Sequence, residues 1–299
     1  MNLPALPKLI CIVGPTASGK TGLSIRLAKQ FNGYIISADS RQIYMGMDIG
    51  TAKMTAEERA QLPHFLIDIT TPDQPLALNE IQTRIFEIIQ TRHNTHPDQI
   101  PFLVGGTGLY INSVVDNWLL PTGKPSGQRT KWEQQPLDQL VGQLLKLEPE
   151  AAQMVQLKNK RRVIRAIEIA QANSKLAPIL NKRGPAVFNT LMLGLKPETS
   201  VLDKRINQRV DQQIKDGLVE EVKGLAQHYT WDLPALSGIG YKEIGAYVQG
   251  KIDLPEAIDQ IKLHTRQYAR RQMTWFKRDK RIHWIKPDKA SKLVQQFMK

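Results

Sequence analysis

Short apolar runs alternate with helical patterns along the first third of this chain. Four runs have the continuous apolar character of strands that are buried on both faces, and they comprise Leu9–Val13, Tyr34–Ser37, His64–Asp68 and Pro101–Val104. Between the last two runs, apolar residues recur at helical spacing over residues 78–94. Because strands and helices alternate, the pattern predicts a parallel sheet flanked by helices, in the α/β class.

The same alternation resumes in the last third of the chain. Residues 191–195 predict a strand, and residues 201–229 predict one long helix whose apolar side chains line one face. A long basic helix over residues 254–280 follows, and a short strand over residues 282–285 then precedes a closing helix. We expect these elements to extend the same sheet and its flanking layers.

The segment between these two blocks has a different character. It begins with alternating prolines and glycines at residues 121–127 and continues as polar helical sequence. We therefore predict an α/β core composed of residues 1–117 and 186–299, interrupted by an inserted small helical subdomain of residues 118–185.

A glycine-rich turn follows the first predicted strand and opens a helix over residues 20–30. It fits the phosphate-loop pattern G-x-x-x-x-G-K-[ST] with residues Gly14, Pro15, Thr16, Ala17, Ser18, Gly19, Lys20 and Thr21. The glycines let backbone N–H groups point at phosphate oxygens, Lys20 adds a positive charge, and Thr21 offers a hydroxyl to Mg²⁺. The positive end of the helix faces the same anion. The turn therefore predicts a site for a di- or triphosphate.

The charge of the chain indicates a second kind of partner. Its 299 residues carry a formal net charge of +13, with basic residues concentrated in residues 124–131, 158–165 and 266–281. This surplus favours nucleic acid over a membrane, because no basic amphipathic helix with an aromatic face lies at either end. The sequence has no apolar run of membrane-spanning length, no signal-peptide pattern and no His/Cys metal cluster. We expect a cytoplasmic monomer whose single cysteine, Cys11, is a buried hydrophobe.

Three predicted strand ends carry polar residues, and the ligands of parallel sheets gather at such ends. Asp39 follows the second strand and Asp68 ends the third. Either carboxylate could hold Mg²⁺ or act as a general base, and either could instead cap its strand end. The fourth strand runs into Gly105-Gly106-Thr107, where the Thr107 hydroxyl could reach a reacting group or cap the next helix.

Seven ordered sequence blocks resemble the tRNA dimethylallyltransferase family over nearly the whole chain. The blocks are Gly14–Thr21, Asp39-Ser40-x-x-x-Tyr44, Met47–Lys53, Gly105–Tyr110, Arg162-x-x-Arg165-Ala-x-Glu168, Gly238–Glu243 and Thr265–Phe276. The resemblance implies a P-loop NTPase-like fold and transfer of a dimethylallyl group from dimethylallyl diphosphate to N6 of the adenine immediately 3′ of the tRNA anticodon. Because the sequence carries no Cys/His zinc finger of the eukaryotic type, the resemblance favours the bacterial type or an organellar form that acts without structural zinc.

The resemblance implies which residues act on the prenyl donor. The loop Gly14–Thr21 would hold the diphosphate with Mg²⁺ at Thr21, and Arg205 and Arg209 would lie near the leaving pyrophosphate. The catalytic set would be Asp39, Thr107 and Lys20. Asp39 would take the proton from N6, because an exocyclic amine is a poor nucleophile without proton removal and alignment.

The resemblance also implies which residues contact tRNA. They are Asp39, Ser40, Arg41, Gln42, Thr107, Arg129, Arg161, Arg162, Val163, Ile164 and Arg165. Arg161 stands where many relatives carry glutamine, which would alter one contact without affecting the chemistry. The adenine would have to leave its stack to meet a diphosphate bound inside the protein.

Three alternative functions would explain some of these sequence features. A P-loop kinase of small molecules or nucleosides would have the same loop, but it leaves the basic C-terminal helix unexplained. A prenyltransferase acting on free AMP or ADP would need neither the inserted helices nor that basic helix. A non-enzymatic RNA-binding module leaves the phosphate loop and Asp39 unexplained. The sequence therefore favours prenyl transfer to tRNA.

Overall fold

The computed structural model describes residues 6–120, 128–173 and 183–299. Within these ranges, six strands form one sheet in the order β3-β2-β4-β1-β5-β6. The strands are β1 Lys8–Val13, β2 Gly33–Ser37, β3 His64–Phe65, β4 Ile100–Gly105, β5 Asn189–Leu195 and β6 Ile282–Ile285. All neighbouring strands are parallel, so the predicted α/β fold class is confirmed.

The central strand β1 is buried on both faces because its residues alternate between two hydrophobic layers. Leu9, Cys11 and Val13 belong to one layer, while Ile10 and Ile12 belong to the other. Burial raises the pKa of the Cys11 thiol far above its ordinary value, so this cysteine acts as an apolar core residue. The strand thus provides a rigid base for the turn that follows it.

Thirteen helices lie within the described ranges. They are α1 Lys20–Gln30, α2 Ala56–Ala60, α3 Leu78–Thr95, α4 Gly108–Val115, α5 Arg129–Gln134, α6 Leu137–Leu147, α7 Ala151–Met154, α8 Lys160–Asn173, α9 Thr199–Lys215, α10 Leu218–Ala226, α11 Tyr241–Val248, α12 Leu254–Phe276 and α13 Ala290–Met298. A 3-10 helix, Pro287–Lys289, precedes the last of them. In this described part of the chain, no helix is long and apolar enough to cross a membrane.

Three predicted elements differ from the structure. The helix predicted over residues 201–229 is two helices, because Gly217 adopts a φ of 101° between α9 and α10. The third strand is shorter than expected, because Leu66 and Asp68 have φ values of 61° and 55°, which are outside the strand region. The basic helix α12 ends at Phe276 rather than at residue 280.

The chain divides into two compact units, which are described separately. The larger unit contains Met1–Val115 and Val187–Lys299 and includes the whole sheet. The smaller unit is Asp116–Ala186 and contains the helices α5 to α8.

The smaller unit has a hydrophobic core of its own, although its sequence reads as polar. Trp132, Leu140 and Leu144 belong to this core together with residues of α8. Val163 and Ile164 are part of it and are only 0% and 1% exposed. The helix turns these two side chains inward, so the prediction that residues 161–165 bind tRNA rests on the exposed members of the segment.

Candidate diphosphate and nucleic-acid site

The turn between β1 and α1 requires two of its glycines. Gly14 has a φ of 145°, and a Cβ there would lie 2.6 Å from the carbonyl oxygen of Leu195 on β5. Gly19 has a φ of 90° immediately before α1. Gly14 and Pro15 form the entry of the turn, and Thr16–Thr21 line a cavity of about 260 Å³, which we call the loop cavity.

Two basic side chains line the loop cavity. The Lys20 ammonium donates to the Pro15 carbonyl oxygen at 2.6 Å, and Arg209 donates to the Thr16 hydroxyl at 3.4 Å. Burial lowers the pKa of Lys20 to about 8, although the charge of Asp39 opposes the shift and that of Arg209 adds to it. Because the N-terminus of α1 lies at the same turn, the cavity is suited to an anion such as a diphosphate.

Asp39 and Thr107 are brought together by hydrogen bonds between two neighbouring strand ends. The Thr107 N–H donates to the Ala38 carbonyl oxygen, and the Thr107 hydroxyl accepts from the Ser40 N–H, both at 3.2 Å. One carboxylate oxygen of Asp39 accepts the Arg41 N–H at 2.9 Å, which fixes the turn after β2. The carboxyl group of Asp39 thereby lines the loop cavity.

The two candidate carboxylates have different surroundings. Asp68 forms ion pairs with Lys53 at 2.5 Å and with Arg59 at 2.7 Å. Burial opposes ionisation, but the hydrogen bonds and charges of these two cations outweigh it and hold the pKa of Asp68 below its ordinary value. Asp68 is therefore occupied in a structural network, whereas Asp39 lines the cavity.

A second cavity of about 320 Å³ adjoins the first. Thr16, Asp39, Arg209 and Tyr268 line both of them. Its remaining walls include apolar side chains from the loop before α11 and from α9, α11 and α12, and these are Ile239, Tyr241, Val210 and Ile261. Asp39 therefore stands where the loop cavity meets a second cavity lined by both arginines and apolar side chains, which is a geometry suited to a base acting between two substrates.

The other residues predicted after β2 are held in place by side-chain contacts. Arg41 donates to the carbonyl oxygens of Pro234 and Ala235 at 2.6 and 3.0 Å, which anchors the loop before α11. Gln42 accepts from the Ser37 hydroxyl at 3.2 Å and lines the loop cavity. Arg41 and Ser40 line the second cavity, so this segment contributes to both.

Two residues of α12 belong to the site although sequence reasoning assigned them no role. Tyr268 lines both cavities, and burial together with the charge of Asp39 raises its pKa to about 12. Gln272, one turn later, lines the loop cavity and is 6% exposed. The signal was present in the Thr265–Phe276 block, where these two positions are four residues apart and therefore share a helix face.

Arg205, in contrast, is exposed on α9 and is not among the residues that line either cavity.

In the smaller unit, one buried carboxylate organises two of the predicted tRNA-binding arginines. Glu168, with a side chain only 2% exposed, pairs with Arg129 at 3.2 Å and with Arg165 at 3.1 Å. Arg161 and Arg162 are exposed at the start of α8, and Arg162 donates to the Gln156 side chain at 2.8 Å. The unit therefore presents a cluster of partly or fully exposed guanidinium groups.

Comparison with known proteins identifies the family. A family model described as IPP transferase matches residues 42–279. A tRNA dimethylallyltransferase of Roseiflexus sp. is 44% identical, over 96% of this chain and 95% of the relative. The crystal structure of a tRNA isopentenylpyrophosphate transferase from Bacillus halodurans aligns with a TM-score of 0.73 and 40% identity, over 97% of this chain and 95% of that one.

A more distant structure, of a eukaryotic dimethylallyltransferase acting on tRNA, aligns with a TM-score of 0.79 and 30% identity. That alignment covers 90% of this chain and 69% of the eukaryotic one. Since the matched relatives are dimethylallyltransferases, the kinase alternative is not favoured. The chain belongs to the IPP transferase family and is an enzyme of the tRNA dimethylallyltransferase type.

Proposed function

We propose that this protein transfers the dimethylallyl group of dimethylallyl diphosphate to N6 of the adenine immediately 3′ of the anticodon in tRNA. The observation that carries the proposal is the position of Asp39, which lines both the loop cavity and the second cavity beside it. A base at that junction can act on an acceptor while the donor's diphosphate is held by the loop.

Groups that line the two cavities can accept the proton and stabilise the leaving group of this reaction. The bond between the allylic carbon and the diphosphate oxygen breaks, its electron pair leaves with pyrophosphate, and a new bond forms to N6. Asp39 takes the N6 proton, and Thr107, fixed beside the Asp39 turn, helps to position the acceptor. Lys20, Arg209 and the N–H groups of the loop stabilise the charge that develops on pyrophosphate.

The donors around the loop cavity fit a magnesium ion that is held mainly by its substrate. The Thr21 hydroxyl and the Asp39 carboxylate line the cavity, whereas no cluster of three or more His, Cys, Asp or Glu residues suited to a metal occurs in residues 6–120, 128–173 and 183–299. Mg²⁺ typically keeps several waters and binds substrate phosphates through few protein ligands. When bound, it would neutralise diphosphate charge, with Thr21 as a protein ligand.

We further propose that tRNA contacts Ser40, Arg41, Gln42 and Thr107 near the reacting base, and that it also contacts the exposed arginines of the smaller unit. An anticodon loop offers unpaired bases and phosphates, which suit guanidinium groups that stay accessible after pairing with Glu168. The enzyme would act as a monomer in the cytoplasm, since both substrates are found there and one chain supplies all the proposed groups.

Replacing Arg162 and Arg165 together with glutamine should weaken tRNA binding about tenfold at physiological salt. Because two phosphate contacts would be lost, the slope of log affinity against log salt concentration should flatten by about 1.4. Fluorescence anisotropy of a labelled tRNA across a salt series measures both quantities. The double variant Lys29→Gln/Arg84→Gln removes the same charge from exposed positions of the larger unit and is the control. An equal effect in the two variants would show that only net charge matters.

Mass spectrometry of nucleosides tests the proposed function directly. Unmodified tRNA incubated with the protein, Mg²⁺ and dimethylallyl diphosphate should yield an adenosine heavier by one dimethylallyl group. The product should be absent when ATP replaces the prenyl donor. Prenylated AMP without prenylated tRNA would instead establish the free-nucleotide reaction, and ATP consumption without either product would establish a kinase.

A further inference from the structure

The side chain of Gln272 joins two segments that sequence places far apart. Its carbonyl oxygen accepts the N–H of Thr16 in the phosphate loop at 2.8 Å. Its amide nitrogen donates to the carbonyl oxygen of Gly106, in the turn after β4, at 3.0 Å. The side chain is buried, so both ends of the amide are satisfied by backbone groups rather than by water.

The Gln272 amide packs so closely against residue 106 that no side chain larger than that of glycine fits there. A Cβ added to Gly106 would lie 2.1 Å from the Gln272 amide nitrogen and 3.6 Å from the Gly14 carbonyl oxygen. The glycine at position 106 therefore permits the amide to reach both backbones. Loop, amide and turn form one closely packed layer at the floor of the loop cavity.

The same layer continues to the proposed catalytic groups. Tyr268, one turn before Gln272 on α12, lines the same cavity. The Thr107 hydroxyl accepts the N–H of Ser40, the residue after Asp39. Hydrogen bonds therefore link the phosphate loop, through the Gln272 amide, to Gly106, and its chain neighbour Thr107 is bonded to the turn that carries Asp39.

We propose that Gln272 is a positioning residue, which sets the distance between the loop that holds the diphosphate and the turns that hold Asp39 and Thr107. The amide engages the Thr16 N–H, so this donor orients the loop instead of binding the anion. This inference deepens the proposed prenyl transfer and rests on it for its effect on rate. Because attack requires the acceptor and the allylic carbon to be aligned closely, a shift of either turn lowers the rate even when both substrates are bound.

The variant Gln272→Leu removes both hydrogen bonds while retaining a similar side-chain volume. Its affinity for inorganic pyrophosphate, measured by calorimetry with Mg²⁺, should fall about tenfold or less, because one loop N–H loses its anchor. The single-turnover rate of prenyl transfer at saturating substrates should fall more, by about tenfold to hundredfold. Gln260→Leu is the matched control, because Gln260 lies three turns earlier on α12 and bonds only to Glu256 among the contacts described. It should change neither quantity.

A second variant separates alignment from folding. In Gln272→Glu the carboxylate can still accept the Thr16 N–H, but it donates to the Gly106 carbonyl only when protonated. Its rate relative to the wild type should therefore rise as the pH is lowered, with the thermal midpoint recorded at each pH. The charged groups lining the same cavity are Lys20, Arg209 and Asp39, and comparison with the wild type at each pH removes their contribution.

Two outcomes would overturn the inference. If Gln272→Leu kept wild-type pyrophosphate affinity and single-turnover rate, the amide would not position the loop. If its rate fell only in proportion to the folded fraction, and Gln272→Glu showed no gain at low pH, the role would be structural alone. Absence of prenyl product from the wild type would instead disprove the proposed function, and the pyrophosphate measurement would still test the link between Gln272 and the loop.

Discussion

Asp39→Asn should lower the rate of prenyl transfer by a factor of about 10²–10⁴ while leaving tRNA affinity near that of the wild type. The amide can still accept the Arg41 N–H that fixes the turn after β2, so the local backbone is retained. What it loses is basicity, because an amide oxygen cannot take a proton from N6 near neutral pH. Single-turnover prenylation at saturating substrates, together with tRNA anisotropy, measures the two quantities separately.

Asp68→Asn is the matched control, because Asp68 is the other carboxylate near a strand end. It pairs with Lys53, whose side chain is 1% exposed, and with Arg59, so its loss should lower the thermal midpoint. The rate per folded enzyme should stay within about threefold of the wild type, since Asp68 does not line either cavity. If Asp39→Asn weakened tRNA binding as much as it lowered the rate, Asp39 would be a docking residue and not the base.

The parts of the site that sequence predicted well are those set by local pattern. The apolar run of β1, the glycines of the loop and the start of α1 are adjacent in the chain, so one motif fixes their relative geometry. Five of the predicted strands lie within two residues of their observed bounds, because buried parallel strands read as continuous apolar runs. The fold class followed from the same alternation.

The parts that sequence could not predict depend on contacts between distant segments. The choice between Asp39 and Asp68 was open, because it depends on Lys53 and Arg59, which neutralise only one of them. Gln272 could not be assigned, since its two partners lie 166 and 256 residues away. The burial of Val163 was not predicted, because a motif identifies a helix, whereas the smaller unit's own core decides which of its faces is buried.

Gly217 shows a further limit of periodicity. The apolar stripe continues in phase from α9 into α10, so the pattern alone predicts one helix. A single left-handed residue, Gly217, divides it, and periodicity does not reveal that backbone conformation. The break matters because the two helices have different contacts. Arg209 on α9 lines the loop cavity, whereas Glu221 on α10 accepts the backbone N–H groups of residues 48–50.

Lys20→Met should weaken binding of dimethylallyl diphosphate and of inorganic pyrophosphate by about hundredfold or more. The ammonium lies in a cavity where its charge is poorly solvated, so the attraction to a diphosphate is large and nothing nearby on α1 replaces it. Calorimetry with Mg²⁺ and pyrophosphate measures the loss. Lys29→Met, at an exposed position in the last turn of the same helix, removes the same charge and should leave the affinity within about twofold.

The lowered pKa of Lys20 adds a pH dependence with a definite sign. In the free enzyme this pKa is about 8, so the ammonium loses its proton as the pH rises through that value. Because the diphosphate binds the protonated form, the part of the affinity that depends on Lys20 should be full below pH 8 and decline above it. Bound diphosphate raises the pKa, so binding near pH 8.5 should take up protons, which calorimetry in buffers of different ionisation enthalpy detects. Lys20→Met should lack both effects; the same decline and proton uptake in that variant would assign the titration to another group.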